Sequence, residues 1–383
     1  MGQLSIWSYP TRILFGAGAV AETGNEAKRL GASRVLIVTD RGVVKAGLVA
    51  PLEQALASAG LAMTVFADVD PNPVEKNVHE GVTAYRESKS DIIVAIGGGS
   101  PLDVGKIIRL KARPGVHERP LVDYDDATGG DSFITSDVPP MLALPTTAGT
   151  GSEVGRSGVV TLDANHRKTV IFSPYFMANA AILDPELSTS MPAKTTAATG
   201  FDALTHCLEA YVSLGDHPMA DSIALGGLKL VADHLERAVS KPNDVAARGA
   251  MMKAAMMGAV AFQKGLGACH SLAHPLSNLC GLHHGLANAL CLPAVIDFNA
   301  QIAEARLADV ARVLGAEGSS RALAAKLREM RRAIGLPESL GAAGVKADQL
   351  EPLADGAIAD ACHRCNPRPC TRADLLAMYR ASM

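Results

Sequence analysis

Residues 91–106 read DIIVAIGGGSPLDVGK. Ile92, Ile93, Val94 and Ile96 sit in a short apolar, β-branched run that reads as a strand. The run ends in Gly97, Gly98 and Gly99, and helix-forming sequence begins near Pro101. Glycines there let backbone N–H groups approach a phosphate, and the helix N-terminus adds positive potential. The segment is not a P-loop, because the interval before Gly105 and Lys106 is one residue too long and Ile107 replaces Ser or Thr. It also lacks the spacing of the GxGxxG fingerprint. It reads as a pyrophosphate cradle of a different make.

On either side, short β-branched runs alternate with helical stretches. RVLIVTD (34–40), AGLVAPLEQALASAG (46–60) and AMTVFADV (62–69) precede the cradle, and PMLALPTT, SGVVTLD, KTVIFS and ANAAILD follow it. That alternation predicts βαβ units and a parallel sheet. Asp40, closing RVLIVT, is placed to bind an adenine-ribose hydroxyl and to disfavour the extra phosphate of NADP. In the ordinary dinucleotide fold this acid follows the glycines, whereas here it precedes them. LPTTAGTGSEV (144–154) offers hydroxyls at Thr146, Thr147, Thr150 and Ser152 that could close over phosphate and ribose. Beyond Pro185 the β-branched runs stop, and Ala, Leu and Met recur at helical spacing. The expectation is an α/β domain over residues 1–187 and a helical metal-binding and catalytic domain over 188–383.

The second half carries five good metal-ligand candidates: Asp202 and His206 in GFDALTHCLEAY, His270 and His274 in GLGACHSLAHPL, and His284 in GLHHG. Residues four apart share one helical face, so each pair can point at one cation. Three imidazoles and a carboxylate with a position left open make a catalytic sphere rather than a structural one. His283 is the weaker neighbour of His284.

Composition narrows the partners. A net charge of −3 without a basic block argues against nucleic acid, and 48% hydrophobic residues with 20% charged is ordinary for a globular chain. The seven cysteines form no secreted disulfide framework, which fits a reducing cytoplasm. MGQLSIWSYPTRILFG lacks a leader pattern, Ile6 breaks the myristoylation pattern begun at Gly2, and no run of about 18 apolar residues predicts a membrane span. CHRCNPRPC (362–370) lacks the second CxxC-type pair of a zinc knuckle and reads as a turn set by Asn366, Pro367 and Pro369.

In order along the chain, GGGSPLD, PTTAGTGSEV, GFDALTH, GLGACHSLAHPL and HHG closely resemble the iron-dependent (type III) alcohol dehydrogenase family over nearly the whole length. The stretches AFQKGLGACHSLAHPL and GSEVGRSG resemble its 4-hydroxybutyrate dehydrogenase branch, although the interval between His274 and His284 is shorter than in that branch. The resemblance implies a Rossmann-like α/β domain and an all-α domain in a dehydroquinate synthase-like architecture. It also implies NAD and Fe(II) as cofactors, with Zn an acceptable substitute. By motif, the ligands become Asp202, His206, His270 and His284, and His274 becomes the catalytic histidine, relaying a proton or binding substrate. Ser100, Asp103, Lys168 and Leu187 join Asp40, Gly97, Gly98, Gly99, Thr146, Thr147 and Thr150 as cofactor-binding residues, and Phe262 falls at the substrate.

The activity implied is hydride transfer between NAD(H) and a small primary alcohol or aldehyde, an ω-hydroxy acid such as 4-hydroxybutyrate among them. Lys264 and Arg156 are the cations that could hold a substrate carboxylate. The alternatives are a metal- and NAD-dependent lyase or cyclase of the dehydroquinate synthase type and a glycerol dehydrogenase-like polyol oxidoreductase. A cytoplasmic homodimer or larger homo-oligomer, with no nucleic acid or membrane partner, completes the expectation.

Overall fold

The structure is a computed structural model that describes Tyr9 and residues 12–383; the remaining N-terminal residues, among them Gly2 and Ile6, lie outside the described residues. The described residues divide into two compact units, one of residues 12–147 and 152–190, the other of Tyr9 and residues 148–151 and 191–383. The division falls at Met191, and residues 148–151 belong to the helical unit.

The α/β unit has eight strands: β1 (Arg12–Phe15), β2 (Arg34–Val38), β3 (Ala62–Phe66), β4 (Ile92–Gly97), β5 (Met141–Pro145), β6 (Ser157–Thr161), β7 (Lys168–Phe172) and β8 (Ala180–Leu183). Six form a parallel sheet in the order β1-β8-β5-β4-β2-β3. β6 and β7 pair antiparallel as a separate ribbon, so two of the expected strands lie outside the parallel sheet. β1 is an edge strand that the sequence reading did not single out. The helices are α1 (Thr23–Arg29), α2 (Arg41–Lys45), α3 (Val49–Ser58), α4 (Glu75–Glu87) and α5 (Gly99–Lys111). Alternate residues of β4 feed two cores: Ile93 and Ala95 join Leu102, Val104 and Ile108 on one face, while Ile92, Val94 and Ile96 join Leu52, Leu56 and Ile182 on the other. Burial on both faces accounts for the unbroken apolar run.

After β2 the chain builds β3 at one edge, then returns to place β4 on the other side of β2. This reversal is a topological switch point, where open α/β sheets bind ligands beyond the strands' carboxyl ends. Val38 lies opposite Ala95 across the β2–β4 pair, so Asp40 and the three glycines emerge side by side there.

The helical unit contains α6 (Ala193–Val212), α7 (Pro218–Ser240), α8 (Val245–Ala261), α9 (Ala268–Cys280), α10 (His284–Val313), α11 (Ser320–Ala333), α12 (Leu350–Ala359) and α13 (Arg372–Ala381). From Thr196 to Val212 every residue of α6 is buried. A helix buried on all sides is the centre of its bundle, and α7, α8 and α10 pack around it. Val245–Lys264 and His284–Val313 are long and apolar enough to cross a membrane by length and composition alone. Each has 67% of its most apolar window buried inside the protein, and α8 carries the buried Arg248, bonded to Thr196 Oγ1 at 2.7 Å. They are core helices of the bundle. All seven cysteines are free.

One buried acid of the α/β unit is out of balance. Burial pushes the Glu153 carboxyl up to about 7, against the opposing pull of its own backbone and of Lys106. A carboxyl raised in the folded state holds its proton there, so stability is full below the unfolded value and falls as pH climbs toward 7. Glu153→Gln removes that loss. The two proteins should melt together near pH 4, with the variant ahead by up to about 3 kcal/mol at pH 8, as read by thermal unfolding across that range.

Candidate metal centre and nucleotide cradle

Asp202 and His206 lie one turn apart on α6, and His270 stands in the first turn of α9. One donor atom from each lies within 4.8 Å of the others. His284, the first residue of α10, brings Nε2 to 3.5 Å from Asp202 Oδ1, and His270 Nε2 lies 4.0 Å from the same oxygen. Two ligands at ~2.1 Å from a tetrahedral cation are ~3.4 Å apart, so these separations suit a common ion.

The approach of α10 depends on Gly285. A Cβ there would overlap the Ala198 carbonyl of α6 and sit 3.1 Å from Asp202 Cβ. Only glycine lets the first turn of α10 lie against the α6 backbone, and the HG step therefore brings His284 to Asp202. His283 is exposed at the N-cap.

Glu209, two turns beyond Asp202 on α6, braces the site. Its Oε1 accepts from Cys269 N at 2.7 Å and its Oε2 from His270 Nδ1 at 2.6 Å, with His270 N at 3.4 Å. One carboxylate thus caps α9, where orphan N–H groups and the helix dipole favour a negative charge. It also requires the His270 proton on Nδ1, leaving Nε2 as the ligand atom. Asn288, one turn after His284, donates to Asp202 Oδ1 at 2.8 Å and orients that carboxylate. Asn366 accepts from Ala268 N at 3.2 Å and bonds to Asn299, so part of the CHRCNPRPC turn serves as a second cap for α9. The sequence reading singled out neither Glu209 nor Asn288, though each recurs at helical spacing from a candidate ligand.

The electrostatics suit a cation. Burial alone would raise Asp202, but His206, His284 and His270 outweigh it and hold the carboxyl down to about 2. Burial takes His206 down to about 4 and His284 well below the ordinary imidazole value, despite Asp202. Their lone pairs are free near neutral pH. Burial also lowers His270, but the hydrogen bond and charge of Glu209 exceed it and the net shift is upward. A cation at Nε2 replaces that second proton. Phe262 leans on His206 with ring centroids 5.1 Å apart, covering one side.

His274 stacks on His284 at 5.1 Å and donates from Nδ1 to Asp360 at 2.7 Å, beside the candidate ligands. Lys264 is elsewhere: its Nζ donates to Tyr211 O at 2.8 Å and to Asp221 at 2.6 Å, at the C-terminal end of α6. Tyr211 is nine residues beyond Asp202, ~13 Å along the helix axis. A cavity of about 450 Å³ adjoins Lys264, Asp221 and Arg306 there, so this lysine is spent on an ion pair away from the candidate ligands.

In the α/β unit, Gly97 has φ +151 and a Cβ on it would lie 2.6 Å from Pro101 Cγ, whereas Gly98 faces Thr147 at ordinary contact distance. Gly98 caps α5 without a side-chain hydrogen bond, so the first-turn N–H groups are available to an anion. Thr146 N donates to Gly97 O at 2.8 Å, which ties the threonine loop to the glycines. Asp40 caps α2 through Oδ1, bonded to Val43 N at 2.9 Å. Other expected cofactor residues have structural partners. Ser100 donates to Pro71 O at 2.8 Å, and Leu187 is buried in the core beside Ile182. Asp103 accepts from Ser152 Oγ at 2.6 Å and from Val159 N at 3.2 Å, and Lys106 donates to the same Ser152. Burial lowers Lys168, with Asp103 opposing.

The profile of the iron-containing alcohol dehydrogenase family matches residues 10–185, and that of the C-terminal part of the Fe-containing alcohol dehydrogenase family matches 196–383. A 4-hydroxybutyrate dehydrogenase from Cupriavidus necator is 41% identical over 98% of this chain and 99% of its own. A solved 1,3-propanediol oxidoreductase superposes with a TM-score of 0.95 at 35% identity, covering 100% of both chains. Sulfoacetaldehyde reductase from Bifidobacterium kashiwanohense, solved with NAD+, superposes with 0.91 at 32% identity over 99% of both.

Glu209→Gln should weaken metal retention about 10–100-fold, measured by chelator competition, while the helical content is kept. Gly285→Ala should lose the metal outright, because the added carbon drives α10 and His284 away from Asp202. Retention of wild-type affinity by the alanine variant would exclude His284 as a ligand.

Proposed function

Since the chain belongs to the iron-containing alcohol dehydrogenase family, we propose that it is an oxidoreductase moving a hydride between NAD(H) and a small primary alcohol or aldehyde, with an ω-hydroxy acid such as 4-hydroxybutyrate as substrate. The observation that carries this reading is the convergence of Asp202, His206, His270 and His284, braced by Glu209 and Asn288.

These four side chains hold a divalent cation, Fe(II) with Zn as a substitute, since both accept this donor set. When bound, such an ion draws electron density from the substrate oxygen and makes its hydroxyl more acidic. Phe262 keeps water from one side of His206. His274 takes the hydroxyl proton in the oxidative direction and returns it in the reductive one. The Gly97–Gly99 turn with the α5 N-terminus holds the cofactor pyrophosphate, Thr146, Thr147 and Thr150 are its proposed hydroxyl partners, and Asp40 takes the adenine ribose. NAD supplies the hydride acceptor. Ser100, Asp103, Lys168 and Leu187 complete the proposed cofactor-binding set.

The acid substrate is favoured by full-length similarity to a 4-hydroxybutyrate dehydrogenase. The solved sulfoacetaldehyde reductase also acts, by its name, on an aldehyde that carries an anionic group. Arg156 is the cation proposed to meet that anion. The seven free cysteines suit the cytoplasm, and a homo-oligomer completes the proposal.

NADH oxidation by the Fe(II)-loaded protein, prepared without oxygen, should be much faster with succinic semialdehyde than with butanal and should vanish on chelation. Arg156→Ala should remove that preference by raising KM for the acid alone. Equal rates with both aldehydes would refute the acid assignment, and turnover of neither would refute the dehydrogenase reading for these substrates.

A further inference from the structure

Asp360 occupies the C-cap of α12, where the helix dipole disfavours a carboxylate. An acid kept against local electrostatics calls for a partner elsewhere. Asp360 Oδ1 accepts from Ser271 Oγ at 2.7 Å and from Cys362 N at 2.8 Å, and Oδ2 accepts from His274 Nδ1 at 2.7 Å. Ser271 in turn accepts from His363 N at 2.8 Å. The carboxylate is fixed by two donors, Ser271 Oγ and Cys362 N, before it meets the imidazole. Burial pushes its carboxyl up, but His274, Ser271 and the Cys362 N–H outweigh this and keep it well below the usual range.

An ionised acceptor at Nδ1 sets the tautomer of a neutral imidazole: the proton sits on Nδ1 and Nε2 carries the lone pair. The ring is held a second way, lying 15° from parallel on His284 with its edge toward His270, 6.0 Å away. Nε2 points away from Asp360 and makes no hydrogen bond among the described residues. Asp360, Cys362 and His274 lie within 4.8 Å of one another, a spacing a metal could use. The donors already on Asp360 and the proton on Nδ1 speak for a hydrogen-bonded dyad instead.

We propose that Asp360 is a positioning residue of the reaction, holding His274 in one orientation and one tautomer so that Nε2 can take the substrate hydroxyl proton while the hydride leaves the same carbinol carbon for NAD. The inference rests on the reading of His274 as the proton-handling group. Its geometry follows the logic of the carboxylate that orients a general-base histidine.

The test uses the Zn(II)-loaded full chain and the variants Asp360→Asn, His274→Ala and the double variant. Asp360→Asn should lower kcat about 10–100-fold with KM for the alcohol within about twofold and metal content unchanged. His274→Ala should fall at least as far, and adding Asp360→Asn to it should cost nothing more, because the two act as one unit. With 15N-histidine labelling, the signal missing from His274→Ala should show a protonated Nδ1 and a bare Nε2 in the wild type. Asp360→Asn should change that pattern. A wild-type kcat for Asp360→Asn, additive losses, or a protonated Nε2 in the wild type would overturn the role of Asp360. A wild-type kcat for His274→Ala would overturn the reading of His274 beneath it.

Discussion

Two carboxylates, Asp202 and Glu209, are buried in the most enclosed helix of the protein, and the helical unit is arranged to satisfy them. A buried unpaired charge is costly, and removing one partner of a buried pair costs about 3–5 kcal/mol. Asp202 is answered by Asn288 and by the imidazoles of His206, His270 and His284. Glu209 is answered by the first turn of α9. Because the partners come from three helices, packing and site assembly are one event: α9 and α10 dock on α6 through the same contacts that aim the candidate ligands. Glycine at position 285 removes the steric obstacle to that docking.

The α/β unit solves a separate problem with simpler means. Parallel order places the carboxyl ends of β2 and β4 side by side at the switch point, and positive φ at Gly97 turns the chain so that α5 starts with its N–H groups uncapped. Asp103, Lys106 and Ser152 form a buried polar bracket that ties this helix to the segment after β5. The rigidity of the cradle comes from these bonds, while the glycines supply the space.

Legibility in the sequence followed locality. The apolar runs of β2, β4, β5 and β8, the helical second half and the offset-four pairs could be read because strand and helix periods are short-range properties. Glu209 and Asn288 were readable in principle, at α6 and α10 spacing from Asp202, His206 and His284, but an acid or an amide on a helix has many ordinary roles. Asp360 carried no such signal, because only the packing of α12 and the following turn against α9 brings it to His274. The same limit misdirected Lys264: its partner Asp221 lies on α7, and nothing near position 264 announces that pair. The edge strand β1 is too short to show a period. Leu187 illustrates a different limit, since a family position can be kept for packing as well as for contact with a cofactor.

The most direct test of this account is a crystal structure of the Fe(II)- or Zn(II)-loaded protein with anomalous scattering at the metal edge. One ion per chain is predicted, within about 2.0–2.2 Å of an Asp202 oxygen and of one ring nitrogen each of His206, His270 and His284, with Glu209 still bonded to His270 Nδ1. An ion held instead by His274, Asp360 and Cys362, or one that leaves His284 uncoordinated, would contradict the account.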